Sequence, residues 1–188
     1  LRGNRGSGVS RVVNNECSVS IVMGCHNGAD SLPTTVHGIR MQDYTNWELI
    51  VVNDGSSDAT AAVLENLRRN DDRIRIIHQE NGGLTQALVV GCEAAKGTYI
   101  ARQDVGDRSR PSRLAIQKKH LDRHTDVVAV GCSVQNIGPG DECLGEWIRH
   151  QTAEETTRDL TDNGIGFVHP SVMFRRDAYE KAGGYRRQ

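Results

Sequence analysis

Four short runs rich in strand-forming residues recur along the first part of the chain: "SVSIVM", "ELIVVN", "RIRIIH" and "TYIARQ". The longer stretches between them space their apolar residues as helices do. Those stretches predict helices over residues 32–41, 58–70 and 84–95. This alternation favours βαβ units, and therefore an α/β fold with an open, mostly parallel sheet flanked by helices.

Residues that favour helix ends refine these boundaries. Ser57 or Asp58 is expected to cap the second helix, and Gly97 is expected to close the third. A fourth helix is predicted in "RPSRLAIQKKHLDRH", with Pro111 in its first turn. Each of these boundaries leaves a polar loop directly after a strand.

The alternation of strand and helix ends after Asp126. "VVAVGCSVQ" and "ECLGEWIRH" are predicted strands around the turn "GPGD". An amphipathic segment over residues 153–163, a loop, a strand at "PSVMF" and a short helical piece before "GGY" complete a small additional β/α segment. Residues 1–16 show no apolar period and are predicted to be a flexible lead-in, which leaves one domain over residues 17–188.

Composition narrows the functional classes. The 23 Lys and Arg residues balance 24 Asp and Glu residues, which argues against a general binder of nucleic acid or membrane surfaces. No apolar run approaches the roughly 20 residues of a membrane span, so no transmembrane segment is expected in this chain. The five cysteines form no CxxC pair, which favours buried thiols in a reducing cytoplasm. Any attachment to the inner membrane face is expected only through other parts of the protein.

Polar, glycine-rich loops follow the four predicted strands. Because the carboxyl ends of parallel strands meet at one edge of a sheet, these loops are expected to form a ligand crevice. Each loop alone is typical of an ordinary turn or helix cap, and it is their shared position that favours a site. The loops are Gly24-Cys25-His26-Asn27-Gly28, Asp54-Gly55-Ser56-Ser57-Asp58, Gln79-Glu80-Asn81-Gly82-Gly83 and Asp104-Val105-Gly106-Asp107.

Several common motifs are missing from these loops. The first loop lacks the GxGxxG spacing of a dinucleotide fold, no P-loop GxxxxGK[ST] occurs, and no GxSxG elbow supplies a nucleophile. A doubly wound regulatory domain with an acidic phosphoacceptor pocket is a fold-level alternative. Such a domain needs a lysine opposite the acids late in the sheet, and the sequence offers no convincing candidate.

The ordered set of loops resembles the nucleotide-sugar-dependent glycosyltransferases of family 2, which have the Rossmann-like GT-A fold. The resemblance extends from Ser18 to Tyr185. It is carried by "SIVMGCHNG", "ELIVVNDGSSDAT", "ENGGLTQAL", "AKGTYIARQDVGD", "RPSRLAIQ" and "HPSVMFRRDAYEKAGGY". It implies a GT-A domain over residues 17–188 that binds a nucleotide-sugar, most simply a UDP-sugar.

The resemblance also implies roles for individual residues. His26 and Asn27 lie where the family lines the nucleoside pocket with Tyr-Asn, and Asp54 matches the acid that accepts a hydrogen bond from the base. Asn81 and Gly83 fall in the loop that borders the nucleotide. The implied nucleotide-sugar-binding residues are Cys25, His26, Asn27, Asp54, Asn81, Gly83 and Asp104.

The implied metal motif departs from the family pattern. The family usually reads Asp-X-Asp-Asp and holds Mg²⁺ or Mn²⁺ on the sugar diphosphate, whereas this chain reads Asp104-Val105-Gly106-Asp107. A glycine therefore occupies the position of the second acid. Asp104 and Asp107 are the remaining candidate ligands, because Mg²⁺ often needs only one or two carboxylates in addition to phosphate oxygens and water.

A second departure concerns the catalytic base. In the family this base is an acid in a Glu-Asp motif downstream of the Gly-Gly-Tyr segment, and the present sequence extends only to Gln188. The chain therefore resembles a C-terminally truncated domain that binds the donor and is inactive by itself, and its catalytic residues stay unassigned. His169 is expected either to border the sugar pocket or to be an ordinary packed or solvent-facing histidine.

The expected activity is inverting transfer of a sugar to an acceptor hydroxyl in polysaccharide or glycoconjugate synthesis. The implied partners are the UDP-sugar and a saccharide or lipid-linked acceptor, with no nucleic acid. The alternative is a non-catalytic nucleotide or nucleotide-sugar binding domain, or an inactive fragment.

Overall fold

The computed structural model describes residues 17–148, 152–164 and 166–186. The predicted lead-in over residues 1–16 lies outside this part of the chain. The strands are β1 Val19–Cys25, β2 Trp47–Asp54, β3 Ile74–Gln79, β4 Tyr99–Arg102, β5 Ala129–Val130, β6 Val134–Ile137, β7 Cys143–Trp147 and β8 Met173–Arg175. The helices are α1 Leu32–Arg40, α2 Thr60–Arg69, α3 Leu84–Glu93, α4 Arg113–Arg123, α5 Ala153–Asn163 and α6 Arg176–Lys181, and a 3₁₀ turn covers His169–Ser171.

Most of the strands form one sheet with the order β3-β2-β1-β4-β8-β5. Strands β3, β2, β1 and β4 pair in parallel, and β8 pairs antiparallel with both β4 and β5. Strand β5 therefore runs in the same direction as β4. The mostly parallel open sheet predicted from the sequence is confirmed, and β6 and β7 form a separate antiparallel hairpin.

Alternate residues of the central strands face two different helical layers. On β1, Ile21 and Met23 pack in a cluster with α1, α2 and α4, whereas Val22 packs in a second cluster with α3. Strand β2 divides in the same way between Val51 and Val52. Because both faces are covered, the strands read as continuous apolar runs, as is usual for parallel sheets.

This topology brings one set of chain segments to a single edge of the sheet. The carboxyl ends of β1, β2, β3, β4 and β5 lie there, together with the start of the antiparallel β8. The polar loops identified in the sequence all follow these strand ends, so they meet at the same edge.

Three helix boundaries differ from the sequence prediction. Helix α2 begins at Thr60, and Asp58 precedes it and accepts the Thr60 N–H through Oδ1 at 2.9 Å. Helix α3 ends well before Gly97, where a Cβ would lie 2.6 Å from Ser20 N, so this glycine permits close approach to β1 rather than closing a helix. Helix α4 begins at Arg113, which leaves Pro111 outside its first turn.

The C-terminal segment also contains differences. The run "VVAVGCSVQ" is divided into β5 and β6, and "PSVMF" begins as a 3₁₀ turn, so that only Met173–Arg175 is strand. The predicted amphipathic segment is confirmed as helix α5. None of the helices in the described ranges is long and apolar enough to cross a bilayer.

Two helical glycines provide a test of the packing. A Cβ on Gly91 in α3 would lie 2.5 Å from Val22 Cγ1, whereas a Cβ on Gly38 in α1 would meet Ser109 backbone atoms at 3.8 and 3.9 Å. Gly91→Ala is expected to lower the free energy of unfolding by about 1–2 kcal/mol, because overpacking outweighs the gain in helix propensity.

Gly38→Ala is the matched control and is expected to raise the free energy of unfolding by about 0.5–1 kcal/mol. Urea denaturation of both variants measures the two changes. Shifts of the same sign would contradict the close contact between α3 and β1.

Candidate functional site

The carboxylate of Asp54, the last residue of β2, accepts three hydrogen bonds at this edge. Oδ1 accepts from Gln79 Nε2 at 2.7 Å and from the Gly82 N–H at 2.8 Å, and Oδ2 accepts from the Gly83 N–H at 2.9 Å. Gly83 is the N-cap residue of α3, and the N-terminus of a helix favours negative charge. One carboxylate therefore links β2, β3 and α3.

The protonation of Asp54 follows from this environment. The residue is only 4% exposed. Burial by itself raises the pKa of its carboxyl, but the donors from Gly82, Gln79 and Gly83, with the nearby His26, outweigh it, so the pKa lies below its ordinary value. Asp54 is therefore a fixed anion at neutral pH.

Main-chain contact joins the loops that follow β2 and β3. Gly55 has φ +67°, and a Cβ at this residue would lie 2.6 Å from Asn81 N. A side chain is excluded by both the conformation and the contact. A Cβ on Gly83 would meet no atom within 4 Å, so open space adjoins this residue and a ligand has room to approach the backbone.

His26 connects the loop after β1 to this pair of loops. Its Nδ1 lies 2.8 Å from the Asp54 carbonyl oxygen, and because a carbonyl only accepts, Nδ1 carries the proton. In the neutral ring Nε2 then accepts from Asn27 Nδ2 at 3.2 Å. Asn81 Nδ2 lies 3.1 Å from Nδ1, and because both are donors in this tautomer the contact is not a hydrogen bond. The ring is oriented by its neighbours and is exposed.

Asn27 joins the first two loops. Its φ is +50°, its N–H donates to Ser56 Oγ at 2.9 Å, and its Oδ1 accepts from the Ser57 N–H at 2.9 Å. His26, Asn27, Asp54 and Asn81, which the sequence placed in one site, are thus brought together.

Cys25 has a different position. It is buried in the core cluster, and this burial raises the pKa of its thiol. The Cys25 side chain is therefore part of the core and is not exposed at the sheet edge.

The segment after β4, from Asp104 to Asp107, forms a tight turn that is called the acid turn below. The Asp107 N–H donates to the Asp104 carbonyl at 3.3 Å, and Gly106, the third residue of this turn, has φ +97°. A positive φ at that position is the requirement of a type II turn, for which glycine is preferred. The Gly106 N–H also donates to Thr35 Oγ1 of α1 at 2.9 Å. The glycine in "QDVGD" therefore serves the backbone, and an acid there would be strained.

A buried arginine neutralises the first acid of this turn. Arg102 is fully buried, its Nη2 donates to Asp104 Oδ1 at 2.6 Å, and its Nη1 donates to the Gln103 carbonyl at 2.7 Å. His169 Nδ1 lies 3.4 Å from the same Nη2, and its Nε2 lies 2.9 Å from the Tyr185 hydroxyl. His169 is therefore next to the acid turn, and desolvation and the Arg102 cation lower its pKa.

A second arginine, Arg113, fixes the far end of the same loop. It donates to Gln103 Oε1 at 2.9 Å, to the Arg102 carbonyl at 2.7 Å and to the Pro170 carbonyl at 3.1 Å. Sequence reasoning did not single out Arg102, Gln103 or Arg113. The available signal was the pair Arg-Gln at the end of the otherwise apolar run "TYIARQ", since buried charge is costly unless it is paired.

The sequence profile of the family described as Glycosyl transferase family 2 matches residues 20–183. The chain belongs to this family. EpsE of Bacillus subtilis (strain 168), which carries a provisional glycosyltransferase name, is 33% identical over 178 residues, covering 93% of this chain and 62% of EpsE. The O-antigen biosynthesis glycosyltransferase WbnJ of Escherichia coli is 29% identical over 168 residues, covering 89% of this chain and 65% of WbnJ. The chain thus spans less than two thirds of either relative.

Solved structures share the fold of this family 2 chain. TarS 1–349 of S. aureus in complex with UDP-GlcNAc superposes with a TM-score of 0.69 at 17% identity, covering 89% of this chain and 48% of that one. A mannosyltransferase from Pyrobaculum calidifontis in complex with GDP-Man and Mn²⁺ gives a TM-score of 0.67 at 20% identity, covering 88% of this chain and 46% of that one. The GT-A expectation is confirmed.

The acid turn of this family 2 chain offers only two candidate metal ligands, Asp104 and Asp107. Within the described ranges, no three His, Cys, Asp or Glu residues are grouped so that they could hold a metal ion. Asp104 already shares one oxygen with Arg102, while desolvation and then the Asp104 charge raise the pKa of Asp107. The two carboxylates fit a divalent ion that is also held by diphosphate oxygens, and they do not suffice for one bound by protein alone.

Replacement of Asp54 tests its role as the link between the loops of this family 2 chain. Asp54→Asn is expected to lower the free energy of unfolding at neutral pH by about 1.5–3 kcal/mol, the range for hydrogen bonds to charged groups. Because the folded-state pKa is depressed, this stabilisation is present above the unfolded pKa of about 3.9 and is lost as the pH falls through the folded pKa.

Denaturant unfolding from neutral pH to about pH 3 measures both effects, and the difference between the two proteins should shrink at the acid end. Asp30→Asn, which alters an exposed carboxylate in a neighbouring loop, is the control and should leave stability unchanged. A difference independent of pH would show that the charge of Asp54 is not what holds the loops.

Proposed function

We propose that the chain is the donor-binding part of an inverting glycosyltransferase that uses a UDP-sugar. The observation that supports it best is the meeting of His26, Asn27, Asp54 and Asn81 at the sheet edge that also carries the Asp104–Asp107 turn. In this proposal the nucleoside binds at these loops and the diphosphate at the adjacent acidic turn, which is the order of groups along a nucleoside diphosphate. The name of WbnJ supports a role in the synthesis of a polysaccharide or glycoconjugate.

Asp54 and His26 are proposed to recognise uracil. A carboxylate offers about four lone-pair directions, and three on Asp54 are already used, so one direction remains for the N3–H of the base. The exposed His26 ring provides a flat surface against which the base packs, with less contact area than the tyrosine usual in the family. Asn81 and Gly83 border the nucleotide through their exposed loop.

Asp104 and Asp107 are proposed to hold Mg²⁺ or Mn²⁺ together with the diphosphate. When bound, such an ion stabilises the negative charge on the departing nucleoside diphosphate. Arg102 keeps Asp104 oriented and offsets part of its charge. The Thr35 hydroxyl accepts the Gly106 N–H and so helps to hold the backbone of the turn.

The proton of the acceptor hydroxyl needs a base, and no residue in the present sequence matches the family's base motif. We therefore propose that these 188 residues bind the donor and transfer its sugar negligibly. The acceptor is proposed to be a saccharide or a lipid-linked saccharide.

A non-catalytic nucleotide-sugar binding domain is the second candidate. The observation that favours it is the acid turn itself, where glycine replaces one acid and Arg102 neutralises another. The two candidates differ in whether a divalent ion strengthens nucleotide binding.

The first test compares UDP with CDP by calorimetry. UDP is expected to bind about 10–100-fold more tightly, because the N3 atom of cytosine has no proton to donate to Asp54, and a hydrogen bond to a charged group contributes about 1.5–3 kcal/mol. His26→Ala is the control, since loss of a packing surface should weaken UDP and CDP by the same factor. Equal affinities of the unaltered chain for UDP and CDP would refute the role of Asp54.

The second test concerns the metal. Mn²⁺ alone is expected to bind weakly, and Mn²⁺ and UDP are expected to raise each other's affinity by the same factor. Asp104→Asn and Asp107→Asn should each reduce this coupling, while Gly106→Asp should not strengthen it, because φ is +97° at this residue.

Asp126→Asn, which alters an exposed carboxylate before β5 and so at the opposite edge of the sheet, is the control and should keep the coupling. Mn²⁺ titrations with and without saturating UDP measure it. Equal Mn²⁺ affinities in the two titrations would favour the non-catalytic domain.

A further inference from the structure

A cavity of about 1020 Å³ opens at the acid turn and extends away from the loops that follow β1, β2 and β3. Its walls are the loop between β4 and α4, one side of α4, the segment after β5, the β6–β7 hairpin and the segment at Val168, Pro170 and Ser171. Its volume is at the upper end of the range for small-molecule sites.

The position of the cavity follows from the strand order. The loops proposed to bind the nucleoside follow β3, β2 and β1, the acid turn follows β4, and the cavity lies beyond the ends of β4 and β5. In a nucleotide-sugar the diphosphate separates the nucleoside from the sugar. A molecule in this cavity would therefore approach from the sugar side of the acid turn.

The lining combines apolar surface with planar polar groups. Trp147, which is 53% exposed, Ile116 and Ile137 supply large apolar side chains, and Asn136 supplies an exposed amide. A sugar ring presents C–H groups on its faces and hydroxyls at its rim. Aromatic faces beside amide donors and acceptors match both parts of such a ring.

The charges of the lining are balanced. Three arginines and three carboxylates contribute to it: Arg108, Arg110, Arg113, Asp107, Asp141 and Glu146. Arg108 Nη1 donates to Asp141 Oδ1 at 2.7 Å, and Arg110 Nη2 donates to Gln135 Oε1 at 3.2 Å. The lining therefore lacks the excess of positive charge that is typical of sites for uronates or phosphates.

We propose that this cavity binds a neutral saccharide acceptor, with the ring of Trp147 packed against one of its sugars. This inference rests on the proposed function, since it takes the acid turn as the seat of the donor diphosphate. It assigns the hairpin β6–β7 to acceptor recognition and the loops after β1, β2 and β3 to the donor.

Binding is the readout, because it does not depend on a catalytic base. An array of neutral, uronate-bearing and phosphate-bearing oligosaccharides is probed with the protein in the presence of saturating UDP and Mn²⁺. The best neutral oligosaccharide is then titrated while intrinsic fluorescence is followed. The chain has two tryptophans, and Trp47 is only 2% exposed, so acrylamide quenching reports Trp147 and should fall when the saccharide covers it.

Trp147→Ala is expected to weaken binding of the neutral oligosaccharide at least tenfold, and Trp147→Phe, which keeps an aromatic face, to weaken it less. Leu144→Ala is the matched control, because Leu144 is an exposed apolar residue of the same hairpin outside the cavity lining. Calorimetry with UDP accompanies each variant, and a melting curve confirms folding. Should Trp147→Ala not fold, Ile137→Ser takes its place.

Three results would overturn the proposal while leaving the proposed function intact: UDP binding without any neutral saccharide binding, saccharide binding unchanged in Trp147→Ala, or preferential binding of acidic oligosaccharides. Trp147→Ala that weakens a UDP-sugar but not UDP would assign the cavity to the donor sugar and would also overturn it. Loss of UDP binding by the unaltered chain would instead refute the proposed function.

Discussion

The carboxylate of Asp54 is the group on which this edge of the sheet depends. Asp54 and Gln79 are paired in the register of β2 and β3, and the two glycine amides that follow bring the start of α3 to the same carboxylate. Without it, three donors would lose their acceptor, at a cost of about 1–3 kcal/mol for each that stayed buried. The charge that organises the loops is also the charge proposed to read the base, so stability and recognition are inseparable at this residue.

The acid turn is held by a different set of interactions. A main-chain hydrogen bond and a glycine of positive φ close it, and two arginines, the fully buried Arg102 and the partly buried Arg113, hold its loop. Loss of one acid and pairing of another with Arg102 leave less negative charge than the usual motif carries. In the proposed function the nucleotide's own phosphates then complete the cation site, so that metal and donor bind as one unit.

The sequence was sufficient to predict the sheet because β1 and β2 carry apolar runs, "IVM" and "LIVV", that are buried on both faces. Their direction then placed His26, Asp54, Asn81 and Asp104 at one edge. It was not sufficient for contacts that depend on tertiary register. Arg113 reaches the Pro170 carbonyl across 57 residues, and nothing in the local pattern near either residue encodes that pairing.

The contact between Gly55 and Asn81 has a consequence for how this site can change. At the proposed nucleoside site, a Cβ on Gly55 would lie 2.6 Å from Asn81 N. A substitution at Gly55 would therefore deform the loops before it altered what is bound. The opposite end is lined by side chains of an exposed hairpin, where exchanges are sterically cheap. Under the proposed function, the range of acceptors could therefore change by point mutation, whereas a new donor base would require replacement of a whole loop.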